Sequence, residues 1–202
     1  YDLQLAYFAP RTDRIRPYIK FGLATGGYRT DNTSVDLRHE TVNFGLGLIL
    51  NTSSQIRASL NFFEFQKENN WEVFQRDNLF GYFDKKMISS GLDIDWFPGN
   101  NQEFRLKAFV YAIKANNSRA FEVNPSGYMS PSNINVDDFQ LSEIAFQIRY
   151  KYEFSPLSNL YVVYTRGGKS SGELQDSFDG LYANAWNKQT LDKLIVKIRY
   201  KF

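Results

Sequence analysis

Thr190-Leu191-Asp192-Lys193-Leu194-Ile195-Val196-Lys197-Ile198-Arg199-Tyr200-Lys201-Phe202 closes the chain. On an extended backbone Leu194, Val196, Ile198, Tyr200 and Phe202 fall on one side, and Lys193, Lys197, Arg199 and Lys201 on the other. A strand that is apolar on one side and cationic on the other separates two different media. A solvated β-sandwich strand alternates in the same way, so the rest of the chain has to decide between sandwich and membrane wall.

The same design recurs upstream. From Leu141 to Phe154, Ile144, Phe146, Ile148, Tyr150, Tyr152 and Phe154 oppose Glu143, Gln147, Arg149, Lys151 and Glu153. From Val42 to Leu50 the apolar side is Val42, Phe44, Leu46, Leu48 and Leu50, and glycines at 45 and 47 on the other side predict close packing or curvature there. Nine strands are predicted, at about 1–9, 15–28, 35–50, 55–67, 82–97, 102–115, 140–155, 159–167 and 190–202. Their connections alternate in length: short at Pro10–Arg14, Asn51–Ser54, Pro98–Asn101 and Ser155–Ser158, longer at 29–34, 68–81, 116–139 and 168–189. Short turns on one side and long loops on the other is the asymmetry of outer-membrane barrels. The expected fold is therefore all-β, a transmembrane antiparallel up-and-down β-barrel, with long loops extracellular and the C-terminus periplasmic.

Composition agrees with that reading. The 202 residues carry 24 basic and 22 acidic side chains, a formal charge of +2, and no cluster of Lys and Arg that would suit a nucleic acid. No window approaches the 18 or more apolar residues of a membrane helix, which says nothing against strands that alternate. The absence of Cys removes disulfides, thiol catalysis and thiolate metal sites together. Tyr1-Asp2-Leu3-Gln4-Leu5-Ala6-Tyr7 is already an alternating strand with no Met or signal peptide ahead of it, which leads to the expectation of a fragment or processed product. Residues 1–202 are then the C-terminal portion of one barrel domain. Because single-chain bacterial barrels have even strand numbers, nine strands imply an odd number before Tyr1.

The terminal pattern Leu194, Val196, Ile198, Tyr200, Phe202 resembles the end of outer-membrane barrels generally, which implies recognition by the barrel-assembly machinery. Two longer stretches resemble one family. The first runs from Tyr82 to Pro98, Tyr-Phe-Asp-Lys-Lys-Met-Ile-Ser-Ser-Gly-Leu-Asp-Ile-Asp-Trp-Phe-Pro. The second runs from Ile148 to Tyr164, Ile-Arg-Tyr-Lys-Tyr-Glu-Phe-Ser-Pro-Leu-Ser-Asn-Leu-Tyr-Val-Val-Tyr. They are similar to bacterial outer-membrane proteins of unassigned function that join an N-terminal domain like the family-9 carbohydrate-binding modules to a large C-terminal barrel. That family often has Arg-Trp where this chain has Arg149-Tyr150, and Pro-Gly where it has Pro156-Leu157. The resemblance covers somewhat less than half of the chain and implies transport, or surface presentation linked to carbohydrate binding. It supplies no catalytic residue.

In such a barrel the lipid-facing side is an apolar band about 25 Å tall with aromatic girdles. Trp96, Phe97, Phe154, Tyr200 and Phe202 fall near the periplasmic ends of their strands, and Tyr28, Trp71, Phe80 and Tyr82 near the outer ends. The inward set is Lys20, Arg57, Arg105, Lys107, Arg149, Lys151, Lys197, Arg199 and Lys201, with Asp93, Asp95, Glu143 and Glu153 among them. Asp93 and Asp95 are expected between strands bearing Arg57 and those bearing Arg105 and Lys107, as cross-strand ion pairs. Two readings stay open for this set: a salt-bridge lattice that solvates and stiffens the lumen, or the wall of an anion- or glycan-selective pore. Trp71, Tyr128 and Trp186 in the outer loops are suited to stacking on sugars, and are equally ordinary loop residues.

Catalysis finds little support. His39 is the only histidine, so a multi-histidine metal site is impossible here, and Asp93 and Asp95 have cationic neighbours enough to be structural. There is no P-loop, GxGxxG, GxSxG or HExxH. No enzyme activity and no cofactor are expected. The expected partners are outer-membrane lipid including lipopolysaccharide, the assembly machinery, and at the loops either glycans or another outer-membrane or surface protein. A structural or secretion-associated barrel that docks another protein is the alternative role.

Overall fold

The computed structural model describes residues 1–10, 14–26, 37–172 and 177–201. Tyr28, Phe202, the connection expected at 29–34 and part of the Pro10–Arg14 turn lie outside the described residues. The elements in chain order are β1 (Asp2–Phe8), β2 (Ile15–Gly26), β3 (His39–Ser53), β4 (Ile56–Arg76), β5 (Leu79–Gly99), β6 (Gln102–Val123), β7 (Met129–Pro131), β8 (Phe139–Ser155), β9 (Ser158–Gly172), α1 (Phe178–Asn187) and β10 (Gln189–Arg199).

All ten strands belong to one antiparallel sheet in the order β1-β2-β3-β4-β5-β6-β8-β9-β10, with the short β7 beside β6. Apart from the short β7, each strand pairs with the one that precedes or follows it, so the topology is up-and-down. The nine expected strands are all present. The sheet is open among the described residues: β1 and β10 are its edges and no pairing joins them.

Register carries the alternation seen in single strands across the whole sheet. Ile15, Leu50, Ala58, Ile94, Leu106, Ile148, Tyr164 and Leu194 are successive cross-strand partners, one from each of eight strands. One face is thus an apolar band that belongs to the sheet as a whole. Among the described residues no second sheet covers it, and Leu194 and Ile198 are 64% and 68% exposed. At the short-turn end the band carries rings, Trp96 against Phe104 at 6.2 Å and Phe154 stacked on Tyr200 at 6.4 Å. Phe97 departs from the expected girdle, because it follows Asp95 in the alternation and so falls on the face opposite Trp96.

The long connections differ most from expectation. Residues 68–81 form no loop: β4 and β5 continue to a two-residue turn at Asp77-Asn78, and β6 runs on to Val123. This tall part has cores of its own. Tyr82 packs with Leu37 and Phe121 on one face, with Phe80 and Met129 beside them. Trp71, Phe83 and Phe139 form a ring cluster with centroids 5.1 to 6.3 Å apart. The outer aromatics Trp71, Phe80 and Tyr82 therefore pack inside these clusters rather than forming a girdle. Arg119 joins the tall strands, 3.7 Å from Asp84 and donating to the Asn70 amide oxygen at 2.7 Å.

Within 168–189 the expected loop is instead the end of β9 followed by α1. Ser177 caps this helix by accepting from the Gly180 N–H at 3.2 Å. Leu181 and Ala185 are buried against β8 and β9, and the Ser142 hydroxyl donates to the Leu181 carbonyl at 2.7 Å. Ser142 alternates with Ile144 and Phe146, so α1 lies across the apolar face near the end away from the short turns. No helix among the described residues is long and apolar enough to cross a membrane, which says nothing of strands.

Candidate polar wall and family membership

The charged residues expected on the inner side share one face, and register explains how. Arg57 stands opposite Asp95, Asp95 opposite Arg105, and Arg105 opposite Arg149. One step outward, Ser59, Asp93, Lys107, Gln147, Thr165 and Lys193 are successive partners across β4, β5, β6, β8, β9 and β10. One step in the other direction, Glu103, Lys151, Tyr161 and Lys197 follow one another, and Arg199 faces Asn159 at the short-turn end.

The expected ion pairs form on one side of the two aspartates. Lys107 Nζ lies 2.7 Å from Asp93 Oδ2, and Arg105 Nε lies 3.5 Å from Asp95 and also contacts Glu103. Arg57 makes no ion pair with Asp95 despite its register, and Arg149, Lys151, Lys197 and Arg199 have no carboxylate within 4 Å among the described residues. The face therefore carries a compact paired centre and a cationic margin toward β8, β9 and β10.

Uncharged polar groups complete it. The Gln147 amide donates to Thr165 Oγ1 at 3.2 Å, Asn61 donates to Glu64 at 3.1 Å, and the Tyr111 hydroxyl donates to Glu143 at 2.8 Å. Ser59, Asn61, Asp93, Lys107, Gln147 and Thr165 line a hollow of about 530 Å³ that spans five strands. Ser59, Asn61 and Thr165 were not singled out by sequence, and Gln147 was named only as part of the polar side of its strand. They sit on the same alternation as the charges, so counting parity along each strand would have found them. Gly47 bears out the expectation of close packing on this face, since a Cβ there would overlap the Tyr18 ring.

The three aromatics considered for sugar stacking are not brought together. Trp71 is packed against Phe83 and Phe139 beneath the Lys85 ammonium, 4.9 Å from its ring. Tyr128 is 43% exposed between Gly127 and β7, and Trp186 lies on α1 under the Arg166 guanidinium at 4.4 Å. No contact links the three. His39 opens β3 against Gly26, and among the described residues no three His, Asp or Glu side chains gather as a metal site.

The profile of a family described as a domain of unknown function, DUF5916, matches residues 16–202. The chain belongs to the DUF5916 family. The match includes both stretches quoted above and the last strand. No protein of curated function matches the chain. The DUF5916 region thus comprises the apolar face, the polar wall and α1 together, and all but the first strand of the sheet.

Proposed function

We propose that this DUF5916 chain is the wall of an outer-membrane-type β-barrel, with the apolar face against lipid and the polar wall lining a route for polar or anionic solutes. The observation that carries the reading is the apolar band that register builds across eight strands and that no second sheet among the described residues covers. Water does not tolerate a contiguous apolar surface of that extent, and lipid requires one. The edge strands β1 and β10 would have to be paired, with each other or with further strands, because unpaired backbone groups are not left facing hydrocarbon.

The cationic margin favours anions over cations in the lumen. A carbohydrate-binding-like domain joined to the barrel would hold a glycan at its mouth, which makes transport or surface presentation of glycans the wider role. The test is reconstitution of the full-length protein in planar bilayers under a salt gradient. A reversal potential of anion-selective sign, moved toward zero by Lys151→Gln with Lys197→Gln, is the expected result. Cation selectivity would remove the anion route, and a protein that never enters the bilayer would remove the barrel.

A further inference from the structure

Lys67, Lys86 and Lys114 are successive cross-strand partners on β4, β5 and β6. Like charges directly opposite one another on neighbouring strands repel. They stand on the apolar face, two residues beyond Phe65, Ile88 and Ala112 and thus at the outer border of the band. Lys67 and Lys86 are exposed, and neither has a carboxylate within 4 Å among the described residues. The Lys114 ammonium rests 5.1 Å above the Phe178 ring at the start of α1.

A second feature lies just below this row. Leu60, Phe62, Leu92, Val110, Phe146 and Trp186 line an apolar hollow of about 310 Å³, with Trp186 of α1 at its edge. From Lys86 to Ser90 at the hollow is four residues of β5, about 13 Å of extended chain. Ammonium groups at the border and an apolar hollow one short step inside it match a molecule with a phosphate at one end and hydrocarbon at the other.

We propose that Lys67 and Lys86 bind the phosphate of a membrane lipid whose acyl chain occupies the hollow beside Trp186. The anion offsets the repulsion between Lys67 and Lys86, and Trp186 of α1 lines the hollow that takes the acyl chain. This rests on the reading of the apolar face as lipid-facing, and it goes beyond that reading by naming the lipid chemistry and the place.

The experiment uses the full-length protein in nanodiscs, with a lipid A bearing phosphate monoesters, the same lipid after phosphatase treatment, and inorganic phosphate as three separate probes. Lipid retained through detergent exchange is read by native mass spectrometry. The expected result is retention of the phosphorylated lipid, at least a ten-fold loss with Lys67→Gln and Lys86→Gln combined, and no change with Lys107→Gln on the opposite face. Equal retention of the dephosphorylated lipid, or retention unchanged by the double substitution, overturns the site. Binding of inorganic phosphate in place of the lipid also overturns it, in favour of a soluble anion. Resistance to alkaline extraction, measured on the same preparations, separates the two failures: a resistant protein with no lysine effect loses the lipid site alone, and an extractable one loses the membrane reading as well.

Discussion

The carbonyl oxygen of Ala185 in α1 occupies the space that a Cβ at Gly168 of β9 would need. The helix crosses the sheet at van der Waals contact with the backbone there, and Gly168 is the residue that permits it. Gly168→Val is expected to lift α1 at a cost of about 1–3 kcal/mol, the ordinary range for overpacking a fitted contact. Hydrogen exchange read by mass spectrometry should show faster exchange from Gly180 to Lys188 with β8 and β9 unchanged. Ser142→Ala, which removes only the bond to Leu181, should cost about 1 kcal/mol and leave the helix in place.

Two ion pairs on this chain are expected to differ greatly in worth. Lys85 and Glu68 meet at 2.6 Å with side chains 10% and 15% exposed, whereas Lys107 and Asp93 meet at 2.7 Å with side chains 57% and 43% exposed. Lys85→Met leaves Glu68 buried without its partner and should cost about 3–5 kcal/mol, while Lys107→Gln should cost less than about 1 kcal/mol and less still in high salt. Denaturant unfolding of the two variants, with Lys85→Met/Glu68→Met as the cycle partner, checks the ordering. Equal costs would mean that the buried pair is open to water.

Leu157 ends the Pro156-Leu157 turn between β8 and β9 with φ of 63°. A side chain in the left-handed region costs about 1–2 kcal/mol, and glycine in the unfolded chain gives back part of the gain. Leu157→Gly is therefore expected to stabilise by about 0.5–1 kcal/mol, and Leu157→Ala, which keeps the Cβ, not at all. Unfolding midpoints of the two variants decide.

The sheet also predicts an alternating pattern of access. The chain has no Cys, so a single Cys introduced at Phe146, Gln147, Ile148 or Arg149 supplies the chain's one thiol. Spin labels at 146 and 148 should be relaxed by oxygen from the lipid, and those at 147 and 149 by a water-soluble nickel chelate. The same preference at all four positions would contradict a two-faced wall.

Strand existence and facing were legible because a period of two survives in any single strand, as from Leu141 to Phe154. The tall ends of β4 and β5 were not, because bulges between Asn61 and Glu64 and between Glu68 and Trp71 shift the alternation, and Asn69-Asn70 then reads as a loop. Asn70 meets the shift with φ of 57°. The helix was hidden by its ten-residue length and by Gly180, Asn184 and Asn187. Its signals are the Ser177 cap and the spacing of Phe178, Leu181, Tyr182 and Ala185. Charge on the polar wall could be read strand by strand. Which charge meets which could not, and the row Lys67, Lys86, Lys114 exists only once register is known.

The continuation of β4, β5 and β6 past the apolar band gives the outer end a different character from that of a loop. Strands of 21 and 22 residues stand about 70 Å long, well beyond what a bilayer core takes up. A partner that docked at this end would meet a ridge already ordered by Tyr82, Phe121 and Trp71, so little chain entropy would be surrendered on contact. Any recognition there would be a matter of rigid shape, with the selectivity and the intolerance of insertion that rigid shape brings.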